Sequence, residues 1–175
     1  MQGCSGMRVV DSQVSSFAPA PVPTGSRYRF ERLPSQQSAA AAQDALEAMA
    51  QEALNQVGLV HDDKAAAFTV QVSATQRLQQ ELFERPLWGW SPGWRRGSGT
   101  LAPFPVLNAR TSYWREVGLI IRNSATQQVV FESHATNDGP WSDSEAVLPA
   151  MLDAALEGFP EPATGVRRVN IEIAR

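Results

Sequence analysis

Residues 111–136 read TSYWREVGLIIRNSATQQVVFESHAT. In the first half, Val117, Leu119 and Ile121 fall on alternate positions, the period of a strand with one apolar face. NSATQQ at 123–128 is polar and turn-forming, and QVVFESHAT at 128–136 returns as a second strand. Two strands joined by so short a connection pair antiparallel. An antiparallel pair with one apolar side must bury that side against another layer. The rest of the chain has to supply that layer.

Two stretches supply it. From Ser35 to Val57 the chain is rich in Ala, Gln and Leu, and Leu46, Met49, Ala50, Ala53, Leu54 and Val57 repeat at helical spacing. Pro34 and Ser35 mark its start, and Gly58 stands where a left-handed residue ends a helix. Leu148, Met151, Leu152, Ala155, Leu156 and Phe159 draw a second stripe. Ser142 and Glu145 have capping-box spacing before it, and Gly158, Pro160 and Pro162 close it.

Further strands are expected at 8–17 (Val10 and Val14 on one face), 27–33 (Tyr28 and Phe30), 66–76 (Phe68, Val70 and Val72) and 166–173 (Val169, Ile171 and Ile173). Glycine and proline, 12 of each, concentrate in 18–25, 86–105 and 158–165, which read as loops. The economical solution is an α+β two-layer sandwich: a mainly antiparallel sheet of about six strands, with two helices packed on one face. Residues 1–8 read as a tether and 9–175 as a single domain, with a Trp/Gly/Pro-rich loop at 82–106.

The chain has 175 residues and a formal net charge of −3, so nucleic-acid binding has no electrostatic support. No run of apolar residues is long enough to span a bilayer as a helix. The one cysteine, Cys4, can form neither an internal disulfide nor a cysteine-rich zinc site. Three readings of it stand: a free thiol near a frayed end, an intermolecular disulfide, or a lipid-attachment site. Gly3-Cys4-Ser5-Gly6 has the form of the end of a bacterial lipobox, with a small residue before the thiol and a flexible exit after it. The apolar segment that precedes such a site in a precursor is expected to have been removed. Acyl chains at Cys4 would hold the domain close to a bilayer. Five extended residues from Cys4 to Val9 reach roughly 17 Å.

Residues 81–99, ELFERPLWGWSPGWRRGSG, place Trp88, Trp90 and Trp94 among Arg85, Arg95 and Arg96. Indoles beside arginines stack on sugars, dock among lipid headgroups or anchor a protein partner. The competing reading is a lid folded onto the uncovered sheet face. Whether this loop faces the tether depends on strand order. His61-Asp62-Asp63 follows a helix end and reads as a solvated turn rather than a metal site. His134 alternates with core positions and points away from the core or lies under the loop. No glycine-rich loop follows a strand and opens a helix as a phosphate cradle requires, and no catalytic constellation, cofactor site or metal site is expected. Asp143 and Glu145 suit a helix N-terminus.

Taken in order, SRYRFER (26–32), ALNQVGLV (53–60), FTVQVSA (68–74), YWREVGLIIRNSATQQVVFES (113–133), VLPAMLDAALEGFPEP (147–162) and GVRRVNIEI (165–173) resemble the bacterial lipoprotein family known as domain of unknown function 4136. The resemblance runs over roughly residues 9–173, in the order and spacing of these segments rather than in any single motif. It implies a lipid-anchored, periplasm-facing protein of the bacterial envelope without established activity, and it transfers no catalytic residue. Ser5 rather than aspartate after the cysteine points to the outer membrane by analogy with enteric sorting. The expected role is non-enzymatic binding or scaffolding of an envelope protein. The alternatives are a carbohydrate or peptidoglycan binder using the Trp/Arg loop and, more remotely, an unrecognised hydrolase.

Overall fold

The computed structural model describes residues 6–86 and 105–174, with the backbone alone for 81–86 and 105–109. Seven strands and three helices follow one another as β1 (Met7–Phe17), β2 (Arg27–Phe30), α1 (Pro34–Gln37), α2 (Ala40–Gln56), β3 (Val60–His61), β4 (Phe68–Pro86), β5 (Pro105–Asn123), β6 (Val129–Gly139), α3 (Ser144–Ala155) and β7 (Val166–Ala174). The strands form one sheet in the order β3-β2-β4-β5-β6-β1-β7. The fold is α+β as expected, but the sheet has seven strands rather than six. The addition is β3, too short at two residues to carry a periodic signal. The sheet is mixed: β2 pairs parallel with both β3 and β4, and every other pairing is antiparallel.

The core occupies one face. Val14, Ala135 and Val117 are opposite one another across β1, β6 and β5, and all three are fully buried. Both helical stripes press onto this face: Leu54, Ala50, Met151, Leu152 and Ala155 are buried, and Met49, Val57, Leu148 and Phe159 pack at its margin. Burying a side chain of this size contributes about 1.5–3 kcal/mol, most of it offset by the chain entropy lost.

The expected single helix from Ser35 to Val57 is broken. α1 is one short turn and α2 begins at Ala40, with the Ser38 hydroxyl donating to the Ser35 carbonyl between them. The break lets two glutamines reach the sheet. Gln36 and Gln43 both donate to the carbonyl of Val72, at 2.8 and 3.2 Å. β2 ends opposite Val70, so this carbonyl has lost its strand partner, and buried carbonyls require a replacement. Gly58 has φ +87°, the left-handed conformation predicted for it.

α3 starts one residue later than the capping-box reading placed it. Asp143 is its N-cap and makes no side-chain cap. The Asp143 carboxylate is held by Arg8, and the Ser144 hydroxyl donates to Gln76. Tertiary partners have taken the groups that local capping would use.

Strand pairing also runs into both ends of the segment expected as a loop at 82–106. β4 and β5 stay paired out to Pro86 opposite Pro105.

Candidate functional site

Two regions carry the polar chemistry of the described residues. The first is the sheet face away from the helices, which no described element covers. Its centre is His134. Gln13, Ser15, Glu116, Glu132 and Arg122 share this face, the parity opposite to the buried valines. The His134 ring lies against Gly118, where an added Cβ would come within 3.3 Å of Nδ1 and 2.9 Å of the Ser73 hydroxyl. A glycine here makes room for the imidazole. Nε2 is 3.0 Å from Glu132 and Nδ1 is 3.6 Å from Glu116.

The imidazole is therefore flanked by two half-exposed carboxylates. A nucleophile–base pair needs a hydroxyl or thiol at hydrogen-bond distance, and no hydrogen bond among the described residues joins a serine or threonine hydroxyl to a histidine. Among the described residues, no group of three or more His, Cys, Asp or Glu side chains is arranged to hold a metal ion. His134 does point away from the core.

The second region is a polar cluster under the start of α3. Arg115 on β5 is fully buried. Its Nε donates to the Ser144 hydroxyl at 3.2 Å and its Nη2 to the Trp141 carbonyl at 2.7 Å, while Nη1 has no hydrogen-bond partner. Burial lowers its pKa, opposed by the field of Asp143. Beside it, Arg8 pairs with Asp143 and lies over the Trp141 ring at 5.3 Å. The hydrogen bond from Arg8 holds the Asp143 carboxyl below the usual carboxylate range. This cluster joins β1, β5, the residues after β6 and the start of α3. It is closed by packing and has the character of a clasp rather than of a ligand site.

The expected binding residues are only partly placed. Cys4, Trp88, Trp90, Trp94, Arg95 and Arg96 lie outside the described residues. Arg85 lies in β4 opposite Val106, with its side chain likewise outside them. His61 ends β3, packed against the rings of Tyr28 and Phe30 at 5.4 and 5.5 Å. Asp62 accepts from the amides of Lys64 and Ala65, a turn that lowers its pKa, and it pairs with Arg27 at 2.9 Å. The His61-Asp62-Asp63 run is the turn its sequence suggests.

Sequence reasoning missed the buried charges. Arg32 grips Glu47 with two bonds, at 2.7 and 2.6 Å, and also reaches Asp44. These contacts raise the arginine's pKa, chiefly through the Glu47 hydrogen bond. Asp44 and Glu47 lie one turn apart on α2. That spacing was visible, but their shared partner, Arg32, comes from outside the helix.

The family described as Domain of unknown function (DUF4136) matches residues 13–161 of the chain. No curated protein matches it. Among solved structures, a PDZ domain protein from Parabacteroides distasonis superposes with TM-score 0.55 at 13% identity, covering 97% of this chain and 40% of that one. A PelC dodecamer from Paraburkholderia phytofirmans superposes with TM-score 0.50 at 12% identity, covering 87% of this chain and 99% of that one. The chain thus spans less than half the length of the first of these structures. Likenesses at such identities speak for the fold alone.

Proposed function

This chain belongs to the DUF4136 family, and on that premise we propose that it is a lipid-anchored module of the bacterial cell envelope that binds or scaffolds a partner in the periplasm and carries out no catalysis of its own. The observation that carries the reading is the position of Cys4, the single cysteine, in Gly3-Cys4-Ser5, three residues before β1 begins. Three residues reach at most about 11 Å. β1 is hydrogen-bonded on both sides, to β6 and β7. Acyl chains on this thiol would therefore be joined within a few residues to a strand held on both sides, one in from the edge of the sheet. Two or more chains hold a protein at a membrane effectively permanently, at about 0.8 kcal/mol per buried methylene.

The test is mass spectrometry of the protein purified from its native host, with fractionation of the wild type and of Cys4→Ser. The expected outcome is a diacyl or triacyl mass on the peptide containing Cys4, a wild type that sediments with membranes, and a Cys4→Ser variant that does not. An unmodified thiol in a protein that stays in the supernatant overturns the reading.

A further inference from the structure

The two edges of the sheet are unlike. One is β3, two residues long, and the other is β7, nine residues from Val166 to Ala174. β7 pairs with β1 residue for residue over its whole length, without a bulge. Its other side has no strand partner among the described residues. Folded proteins protect a long edge with proline, lysine, a bulge or a covering segment. VRRVNIEIA at 166–174 contains neither proline nor lysine.

The two faces of β7 carry different chemistry. On the side of the helices Val169 is buried, and Ile171 and Ile173 pack at the margin of the core. Beside Val169 and Ile171 lies an open groove between β7 and the ends of α2 and α3, with Val57, Leu156 and Phe159 in its wall. Arg168, Asn170 and Glu172 are exposed on the opposite face. Arg168 comes within 3.4 Å of Asp11, yet its side chain is 67% exposed. Glu172 forms no ion pair among the described residues.

This strand is complementary to itself. Residues directly opposite in an antiparallel pair share a face, so two copies of β7 related by a two-fold axis are centred on one residue. Centring on Asn170 is the register that pairs every residue, from Val166 opposite Ala174 inward to Asn170 opposite its own counterpart. Arg168 of each copy then stands opposite Glu172 of the other, and Val169 opposite Ile171. Opposite charges and β-branched side chains are favourable cross-strand pairs. Centring on Arg168 or on Glu172 instead sets like charges face to face, which is unfavourable. Within one copy Arg168 and Glu172 are four residues apart, roughly 13 Å along the strand, too far to pair with each other.

We propose that the free edge of β7 is a homodimer interface. A second copy of this chain adds its own β7 antiparallel, centred on Asn170, and the two seven-stranded sheets become one with all helices on the same face. The same patch is used twice, as a two-fold interface requires. Ile171 of the second copy covers the edge of the groove beside Val169. The dimer does not depend on acylation of Cys4.

The test uses the full chain as Cys4→Ser, which removes acyl chains and the native thiol from the measurement. Sedimentation over about a 100-fold range of concentration is expected to show a monomer–dimer equilibrium. Arg168→Glu and Glu172→Arg should each weaken the dimer about ten-fold or more, and the two together should restore it. Circular dichroism melts establish that each variant folds. Asn170→Cys should oxidise to a disulfide-linked dimer, because the two α-carbons face each other at about 5 Å across the strand pair. Val166→Cys should not, because the two sites lie eight residues apart along the paired strands, roughly 26 Å. A monomer at every concentration overturns the proposal and leaves the edge to a strand of a different protein. A dimer indifferent to the charge swap, or one crosslinked as readily through position 166 as through 170, also overturns it. An unacylated native Cys4 overturns only the anchor reading.

Discussion

Arg8 and Asp143, 135 residues apart, form a two-pronged ion pair in which Nη1 donates to Oδ1 at 2.9 Å and Nη2 donates to Oδ2. The pair fastens the start of β1 to the start of α3.

The clasp makes a pH prediction. Arg8 lowers the Asp143 carboxyl below its ordinary value of 3.8. A depressed carboxylate pKa stabilises the folded state above the unfolded pKa and loses that contribution as pH falls through the folded value. Asp143→Asn should therefore melt below the wild type at pH 7. The gap should narrow as pH falls below 3.8 and close once the carboxylate is protonated in the folded state as well. Thermal melts followed by circular dichroism across this range check it, and a gap independent of pH would show that the ion pair contributes nothing to folding.

Arg115 is a fully buried cation with one nitrogen unpartnered. A well-packed apolar side chain of similar length should replace it at little cost or with a gain. Arg115→Met is expected to be near neutral in urea unfolding, and Arg115→Ala, which leaves a cavity, to lose about 2–5 kcal/mol. If both lost equally, the hydrogen bonds to Ser144 and Trp141 would matter more than the volume.

The shared acceptor at Val72 predicts non-additivity. Gln36→Ala and Gln43→Ala should each cost about 0.5–1.5 kcal/mol, since either glutamine alone still pairs the carbonyl. The double variant should cost more than the sum, because only then is a buried carbonyl left bare. A strictly additive double-mutant cycle would refute the shared role.

Gly58 combines φ +87° with a close approach, since an added Cβ would be 2.6 Å from Thr24 Cγ2. Gly58→Ala is expected to cost more than about 1 kcal/mol. Thr24→Ser removes the opposing methyl and should recover part of that loss but not the backbone strain. Denaturant midpoints of the two single variants and the double variant measure both parts.

The sequence determined whatever repeats locally over a buried surface. Val117, Leu119 and Ile121 announced β5, the Leu54 and Met151 stripes announced the helices, and Gly58 announced a helix end, because each pattern is imposed by one apolar face over consecutive residues. It also marked Cys4 and the Trp/Arg stretch, whose side chains the described residues do not include. It could not show the outer halves of β4 and β5. Gln79, Gln80, Thr111 and Ser112 are polar on both faces, and they are strands because they pair with each other beyond the core. Nor could it show that β2 lies parallel to β4, that Arg115 is buried under Ser144, or that Arg8 finds Asp143. Only the tertiary structure decided these, together with the strand order that puts the start of β1 and the outer ends of β4 and β5 at the same end of the sheet. A strand's neighbour, and a buried charge's partner, are chosen by residues far away in the chain, and local periodicity carries no record of them.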